Sequence, residues 1–302
     1  MTAGEVLKGI EFSRPGGVPL LLDLYLPAGA DADAPADAGA LVPVPGPVPA
    51  IVHFHGGGWR MGERSSLGPV TDGFALAPFE RVASAGFAVV SADYRLSSQA
   101  VFPAQLQDAQ AAVAWLRAHA AEYNVDPDRI YAWGDSAGGH LACLVGLGAD
   151  PDSGSAGSGV PAANASVAAV AAWYPPTDLV HMGEQALPNA VATADDPGSR
   201  EALLIGAQPA DAPEKAAAAS PLTYAGDHAP PFFLAHGTAD RFVPAAQSAT
   251  LAAALEAAGA DVELLLIEGA DHMWSLPDNS PAAVQTVLDA TIDFFRRQAQ
   301  AS

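Results

Sequence analysis

The chain has 302 residues, half of them hydrophobic, with 13 Lys and Arg set against 34 Asp and Glu for a formal net charge of −21. That length and apolar share suit one large α/β core. A surface so acidic repels nucleic acid and anionic lipid, so neither is expected as a partner.

Short apolar runs alternate with longer helix-like stretches along the chain. Val6–Phe12 and Leu20–Leu26 read as an antiparallel pair turning at Pro15-Gly16-Gly17. No basic segment followed by an apolar one opens the sequence, and no apolar run approaches the ~20 residues that span a membrane, so the expectation is a soluble, cytoplasmic chain. Residues 28–49, rich in Ala, Asp, Pro and Gly, read as an exposed loop. Strands are predicted at Ala50–His55 and Phe87–Ala92. Between Pro103 and Tyr123 helical spacing places Leu106, Ala109, Val113, Leu116 and Ala120 on one face. Arg129–Trp133 reads as a short buried strand, Ala137–Leu147 as a helix and Val167–Trp173 as a strand. Strands at Pro231–His236 and Val262–Glu268 and a helix at Ala282–Arg297 complete the series. This alternation predicts a mostly parallel, eight-stranded sheet with helices on both faces. Two stretches interrupt it: a Gly/Ser loop at 151–163, and a long insertion at 178–224 with one helical piece near Arg200–Ile205. The expected organisation is one domain over 1–302 with 178–224 as a small cap. Cys143 is the only cysteine; it precludes an intramolecular disulfide, rules out a cysteine-based metal cluster and reads as a small core residue.

The stretch Gly134-Asp135-Ser136-Ala137-Gly138 sits where the strand ending at Trp133 meets the helix opening at Ala137. A serine on so sharp a strand-to-helix turn is exposed for attack, and glycines flank it because side chains there would strike strand or helix. A bare hydroxyl needs a base. Of eight histidines, His53 and His55 precede the serine, His119, His140, His181 and His228 lie on helices or loops, and His236 ends a strand with a structural hydrogen bond expected. His272, just past the last strand, falls on a loop at the carboxyl edge of the sheet and is the base selected. A carboxylate must hold its tautomer. Asp240 ends the loop after the strand Phe233–His236, giving the order Ser136, Asp240, His272 that α/β-hydrolases use. Asp178 and Asp271 are rivals that read as loop caps. Upstream, His55-Gly56-Gly57-Gly58-Trp59 follows a strand and leaves backbone N–H groups unshielded. Gly57 and Gly58, with the amide of Ala137, can converge on a developing oxyanion.

Together HGGGW, DYRL at 93–96, GDSAGG, HGTAD and GADHMW resemble the esterase/lipase branch of the α/β-hydrolase fold that includes the hormone-sensitive-lipase-like enzymes. The resemblance spans residues 22–295 and implies Ser136, Asp240 and His272 as triad, with Gly57, Gly58 and Ala137 as oxyanion hole. It also implies that Asp135 and Asp93-Tyr94-Arg95 brace the site without reacting. The N-terminal helical cap of hormone-sensitive-lipase-like enzymes is not seen here, where strands come first. In that respect the chain is more similar to acetyl-, feruloyl- and formamide-hydrolysing relatives with open sites, and Trp59, Tyr174 and Trp274 become candidate pocket walls.

The resulting expectation is a serine carboxylesterase that acts on a small short-chain or aryl ester through an acyl-enzyme, with neither cofactor nor metal. An arylformamidase using the same triad, and a catalytically silent binder of small molecules on the same fold, stay open. Oligomeric state is not legible in the sequence.

Overall fold

Continuous apolar runs make strands buried on both faces, and alternating ones make edges. β3 (Val48–Phe54) and β4 (Ala88–Ala92) are buried almost throughout, whereas β8 (Val262–Ile267) alternates and leaves Leu264 and Leu266 exposed. The computed structural model describes residues 4–28, 46–65, 67–68, 71, 74–151 and 162–301. The other strands are β1 (Val6–Ser13), β2 (Leu20–Tyr25), β5 (Val125–Asp135), β6 (Val170–Trp173) and β7 (Phe232–Gly237). All eight form one sheet in the order β1-β2-β4-β3-β5-β6-β7-β8, antiparallel at β1–β2 and β2–β4 and parallel from β4 onward.

Alternate strand residues feed two cores. Val52, Val90, Ala132 and Leu234 face α2 (Ala104–Ala118), α3 (Ala137–Gly146) and α7 (Ala246–Ala257). Ile51, Val89, Tyr131 and Phe233 face α1 (Pro78–Ser84) and α8 (Ala282–Ala301), where Phe295 stacks on Tyr131 with centroids 5.3 Å apart. Helices therefore cover both faces, as the alternation predicts, and the five expected face residues of α2 and its extension are buried. Short pieces α4 (Ala162–Ala165), α5 (Arg200–Ile205) and α6 (Pro213–Ala218) complete the set. No helix among the described residues is long and apolar enough to cross a membrane.

Several boundaries differ from the sequence expectation. β3 starts at Val48, inside the expected loop 28–49, of which 29–45 lie outside the described residues; most of the 151–163 loop lies outside them too. β5 begins four residues early, at Val125, because its first residues pair with Val48 across the sheet. Helices α1 and α7 were not expected. Both are Ala-rich or Pro-led, with too weak a periodicity to stand out; packing against the sheet rather than pattern stabilises them.

Chain order reverses between β3 and β5: the chain moves outward from β3 to β4, then crosses to the other side of β3 for β5 and continues outward through β8. In open α/β sheets ligands bind at such a switch point, outside the carboxyl ends of the strands. Here those ends carry the HGGGW loop and Ser136.

Candidate active site

Ser136 occupies the tight turn between β5 and α3 with φ 52° and ψ −117°, a backbone conformation that costs on the order of 1–3 kcal/mol for a side-chain-bearing residue. The turn is held by Ser136 N–H to Trp173 O at 2.8 Å and His140 N–H to Ser136 O at 2.9 Å. Glycine is required beside it: a Cβ on Gly138 would lie 1.9 Å from the carbonyl oxygen of Phe54, and one on Gly134 would lie 2.3 Å from Gly138 itself. The strain is thus imposed by close packing of β3, β5 and α3 around the serine.

His272 stands on the turn after β8. Its Nε2 is 3.1 Å from Ser136 Oγ and its Nδ1 2.7 Å from Asp240 Oδ2. Asp240 is buried, and its Oδ1 accepts the amides of Phe242 and Val243 at 2.8 and 2.9 Å. Burial alone would push this carboxyl up, but hydrogen bonding and charge from His236 and His272 hold it well below the usual carboxylate range. With Asp240 ionised, Nδ1 of His272 carries the proton and Nε2 is free to accept one from the serine.

The other candidates are occupied elsewhere. Asp178 accepts the amides of Val180 and His181 and pairs with Nδ1 of His181 at 2.7 Å. Asp271 accepts the amides of His272 and Arg241 and bonds Arg241 Nε at 2.6 Å, fixing the loop that carries the imidazole. His236 bonds Ser248 Oγ at 2.7 Å and Val243 O at 2.9 Å, a structural role. His53 lies between Ser91 Oγ at 3.2 Å and Asp135 Oδ1 at 3.4 Å.

The glycine loop reaches the serine from the adjacent strand. Asp135 Oδ1 accepts Gly56 N–H at 3.1 Å, and Tyr94 O–H donates to His55 O at 2.8 Å. Asp93 and Asp23 hold Arg64 just past the loop, and Arg95 forms a two-pronged pair with Asp108. Gly57 has φ 116°, and a Cβ there would meet Met61 O at 2.1 Å. Among the described residues no hydrogen bond takes the N–H of Gly57 or Gly58, which leaves both donors available. Ala137 opens α3, so its N–H has no partner within the helix.

Trp59, Tyr174 and Trp274 require a correction. They are 1%, 1% and 0% exposed, so none presents a face to a pocket. Trp59 is tied inward: its indole N–H donates to His140 Nδ1 at 3.2 Å. An indole nitrogen only donates, so His140 is the neutral imidazole protonated at Nε2, which donates to Ala219 O at 2.6 Å. Burial lowers the His140 pKa to about 4. Tyr174 packs 4.5 Å from the His272 ring and 4.9 Å from Trp274, backing the base from beneath. Long apolar side chains next to a motif fill the core as readily as a pocket, and the sequence pattern did not distinguish the two.

The open space beside the site has a different lining. A groove of about 200 Å³ runs between the HGGGW loop and the insertion, edged by Arg60, Met182, Thr193, Arg200 and Phe242. Phe242 lies 5.3 Å from the His272 ring. None of these residues belongs to a motif, so no sequence pattern marks them.

Three groups in hydrogen-bonded line on a strained turn, beside a glycine loop at the sheet's switch point, define the site. The BD-FAE family model matches residues 43–255, well over half of the chain. The chain belongs to the BD-FAE family. Esterase LipQ of Mycobacterium tuberculosis is 33% identical over 251 residues, a match that takes in 81% of this chain and 54% of LipQ. The chain therefore spans about half the length of that curated relative. Among solved structures, a truncated carbohydrate esterase from gut microbiota superposes with a TM-score of 0.74 at 26% identity, covering 99% of this chain and 98% of the other. Esterase 2 of Thermogutta terrifontis matches in its propionate-bound form (TM-score 0.71, 27% identity, 98% and 94% covered) and in the form phosphorylated by paraoxon (0.68, 26%, 97% and 94%). The match over nearly the whole chain shows an α/β-hydrolase fold.

Proposed function

We propose that this BD-FAE protein is a serine carboxylesterase for short-chain or aryl esters, working through an acyl-enzyme. The reading is carried by the line from Asp240 Oδ2 through His272 to Ser136 Oγ, 2.7 and 3.1 Å long. His272 Nε2 takes the hydroxyl proton as Ser136 Oγ attacks the ester carbonyl, while Asp240 steadies the imidazolium. The amides of Gly57, Gly58 and Ala137 receive the charge on the carbonyl oxygen as the tetrahedral intermediate forms. His272 then gives its proton to the leaving alcohol, and the cycle repeats with water on the acyl-serine. Relatives that bear a propionate or a paraoxon-derived phosphoryl group support a small acyl site and a reactive hydroxyl.

Chain length follows from the walls. An acyl chain gains about 0.8 kcal/mol per CH₂ only where protein encloses it. The groove holds about 200 Å³, α6 is half alanine, and Leu204 and Ile205 of α5 are turned into the core, so the described residues offer little apolar wall to a long acyl chain. A series of p-nitrophenyl esters should peak at about C2–C4 and fall by C8, with a burst of nitrophenol equal to the enzyme present. A maximum at C10 or beyond would mark a lipid-binding lid instead, and faster turnover of an N-formyl arylamide than of any ester would assign the triad to formamide hydrolysis.

A further inference from the structure

In a chain with 34 acidic residues against 13 basic ones, an arginine without a partner stands out. Eight arginines pair with a carboxylate, and Arg117 donates to three backbone carbonyls. Among the described residues only Arg60 and Arg200 do neither, and both line the groove beside the active site. They come from different parts of the chain, Arg60 from the glycine loop and Arg200 from the first turn of α5, so neither local turn chemistry nor helix capping accounts for their meeting.

Arg200 is also placed. Its Cδ lies where a side chain on Gly58 would have to go, 2.5 Å from the position of a Cβ there, and its guanidinium sits 5.0 Å from the centre of the Phe242 ring. Stacking on an aromatic face restrains a guanidinium while leaving the N–H donors in its plane unused. Phe242 in turn packs against His272, so this charge lies within one side chain of both the glycine loop and the base. Asp196 and Glu201 also line the groove, but among the described residues neither forms an ion pair with these arginines: Asp196 accepts the amide of Thr193 at 2.9 Å, and Glu201, which feels the charge of Arg200, is almost fully buried, where loss of solvent raises its pKa.

We infer that this groove is a carboxylate subsite, in which Arg60 and Arg200 seat a negatively charged group of the substrate. Esters that carry a carboxylate are then preferred over neutral esters of the same shape, with Phe242 giving the apolar surface between the charge and the base. The inference rests on the ester-hydrolase reading above and narrows its substrate class. Two planar guanidiniums suit a carboxylate because their paired N–H groups match its two oxygens.

The test uses two matched pairs: monoethyl adipate with its neutral monoamide, and 4-acetoxybenzoate with 4-acetoxybenzamide, which place the charge on the acyl or the alcohol side. In at least one pair the charged ester should have a kcat/KM about tenfold above its partner, carried by KM. Arg200→Gln should cut that ratio about tenfold, and Arg60→Gln should cut it in the same direction. Arg14→Gln, on the distant β1 hairpin, should leave ratio and activity unchanged. Binding of 4-acetoxybenzoate and monoethyl adipate to Ser136→Ala, followed by calorimetry, should show the same dependence on Arg60 and Arg200 without any turnover. Ratios of one or less in both pairs, or a ratio unmoved in the double Gln variant, would overturn the subsite and leave ester hydrolysis standing. Arginine-dependent binding without hydrolysis of any ester would keep the subsite and overturn the hydrolase reading.

Discussion

The nucleophile turn and the insertion at 178–224 lie against each other but are built by opposite rules. Around Ser136 the chain is closely packed, the flanking glycines admit no substituent, and the nucleophile stands at the end of a strand buried in the sheet. The insertion is made of short helices and turns tied to the body at scattered points: Gln247 of α7 accepts the amide of Asp178 at 2.7 Å, Leu204 O that of Phe102 at 2.8 Å and Arg241 O that of Val191 at 3.1 Å, and Leu204, Ile205 and Ala219 join the core. Chemistry that requires sub-ångström placement sits on the rigid element, and recognition sits on the one that can vary.

If that division is real, substitutions in the turn should abolish rate while those in the insertion change little. Ser136→Ala should lower turnover of a short ester by on the order of 10⁵–10⁶, with the remainder due to binding and the glycine amides; hydrolysis near the wild-type rate would end the division at once. Asp240→Asn should cost on the order of 10⁴ in kcat, because an amide holds the wrong imidazole tautomer, while Asp178→Asn should be nearly silent in the same assay. A crippled Asp178→Asn would move part of the chemistry into the insertion.

His140 joins the two regions, since it accepts from Trp59 of the glycine loop and donates to Ala219 of the insertion. Its folded pKa, about 4, lies below the unfolded value. The unfolded chain therefore takes up a proton below pH 6.5 that the folded one refuses, and stability falls as pH drops towards 4, by about 3 kcal/mol in all. Urea unfolding at pH 7 and pH 4.5 should show this loss in the wild type and a smaller one in His140→Gln; equal losses would remove His140 as the acid-sensitive tie. The smallest effect belongs to the insertion alone. Ser199 Oγ caps α5 by accepting the amide of Ala202 at 3.0 Å, so Ser199→Ala should cost about 1 kcal/mol in unfolding with kcat on a neutral ester retained. A tenfold fall in kcat would show that α5 positions reacting groups.

Much of this was legible because the sheet and the triad depend on local pattern. Apolar runs with period two or none marked each strand, and the strand–turn–helix around Ser136, the order of Asp240 and His272, and the three glycines could be read without coordinates. What was not legible depends on contacts between distant segments. Nothing near Trp59 in sequence says that its indole would turn inward to His140, 81 positions away. Nothing in Ser199-Arg200-Glu201 says that the arginine would lie over Gly58. The helix α7, whose alanines mark no face, follows the sheet rather than its own pattern.

The positions of the triad members along the chain have a consequence for biosynthesis. Ser136 follows a central strand, whereas His272 follows β8, the half-exposed edge strand, 136 residues later. A chain leaving the ribosome can close the serine turn against β3 and β6 while its proton acceptor has yet to be made. Until β8 pairs with β7 the strained hydroxyl has no base, so a nascent or nicked chain that lacks β8 carries the nucleophile unarmed. A strand at the edge of the sheet is the one that switches the serine on.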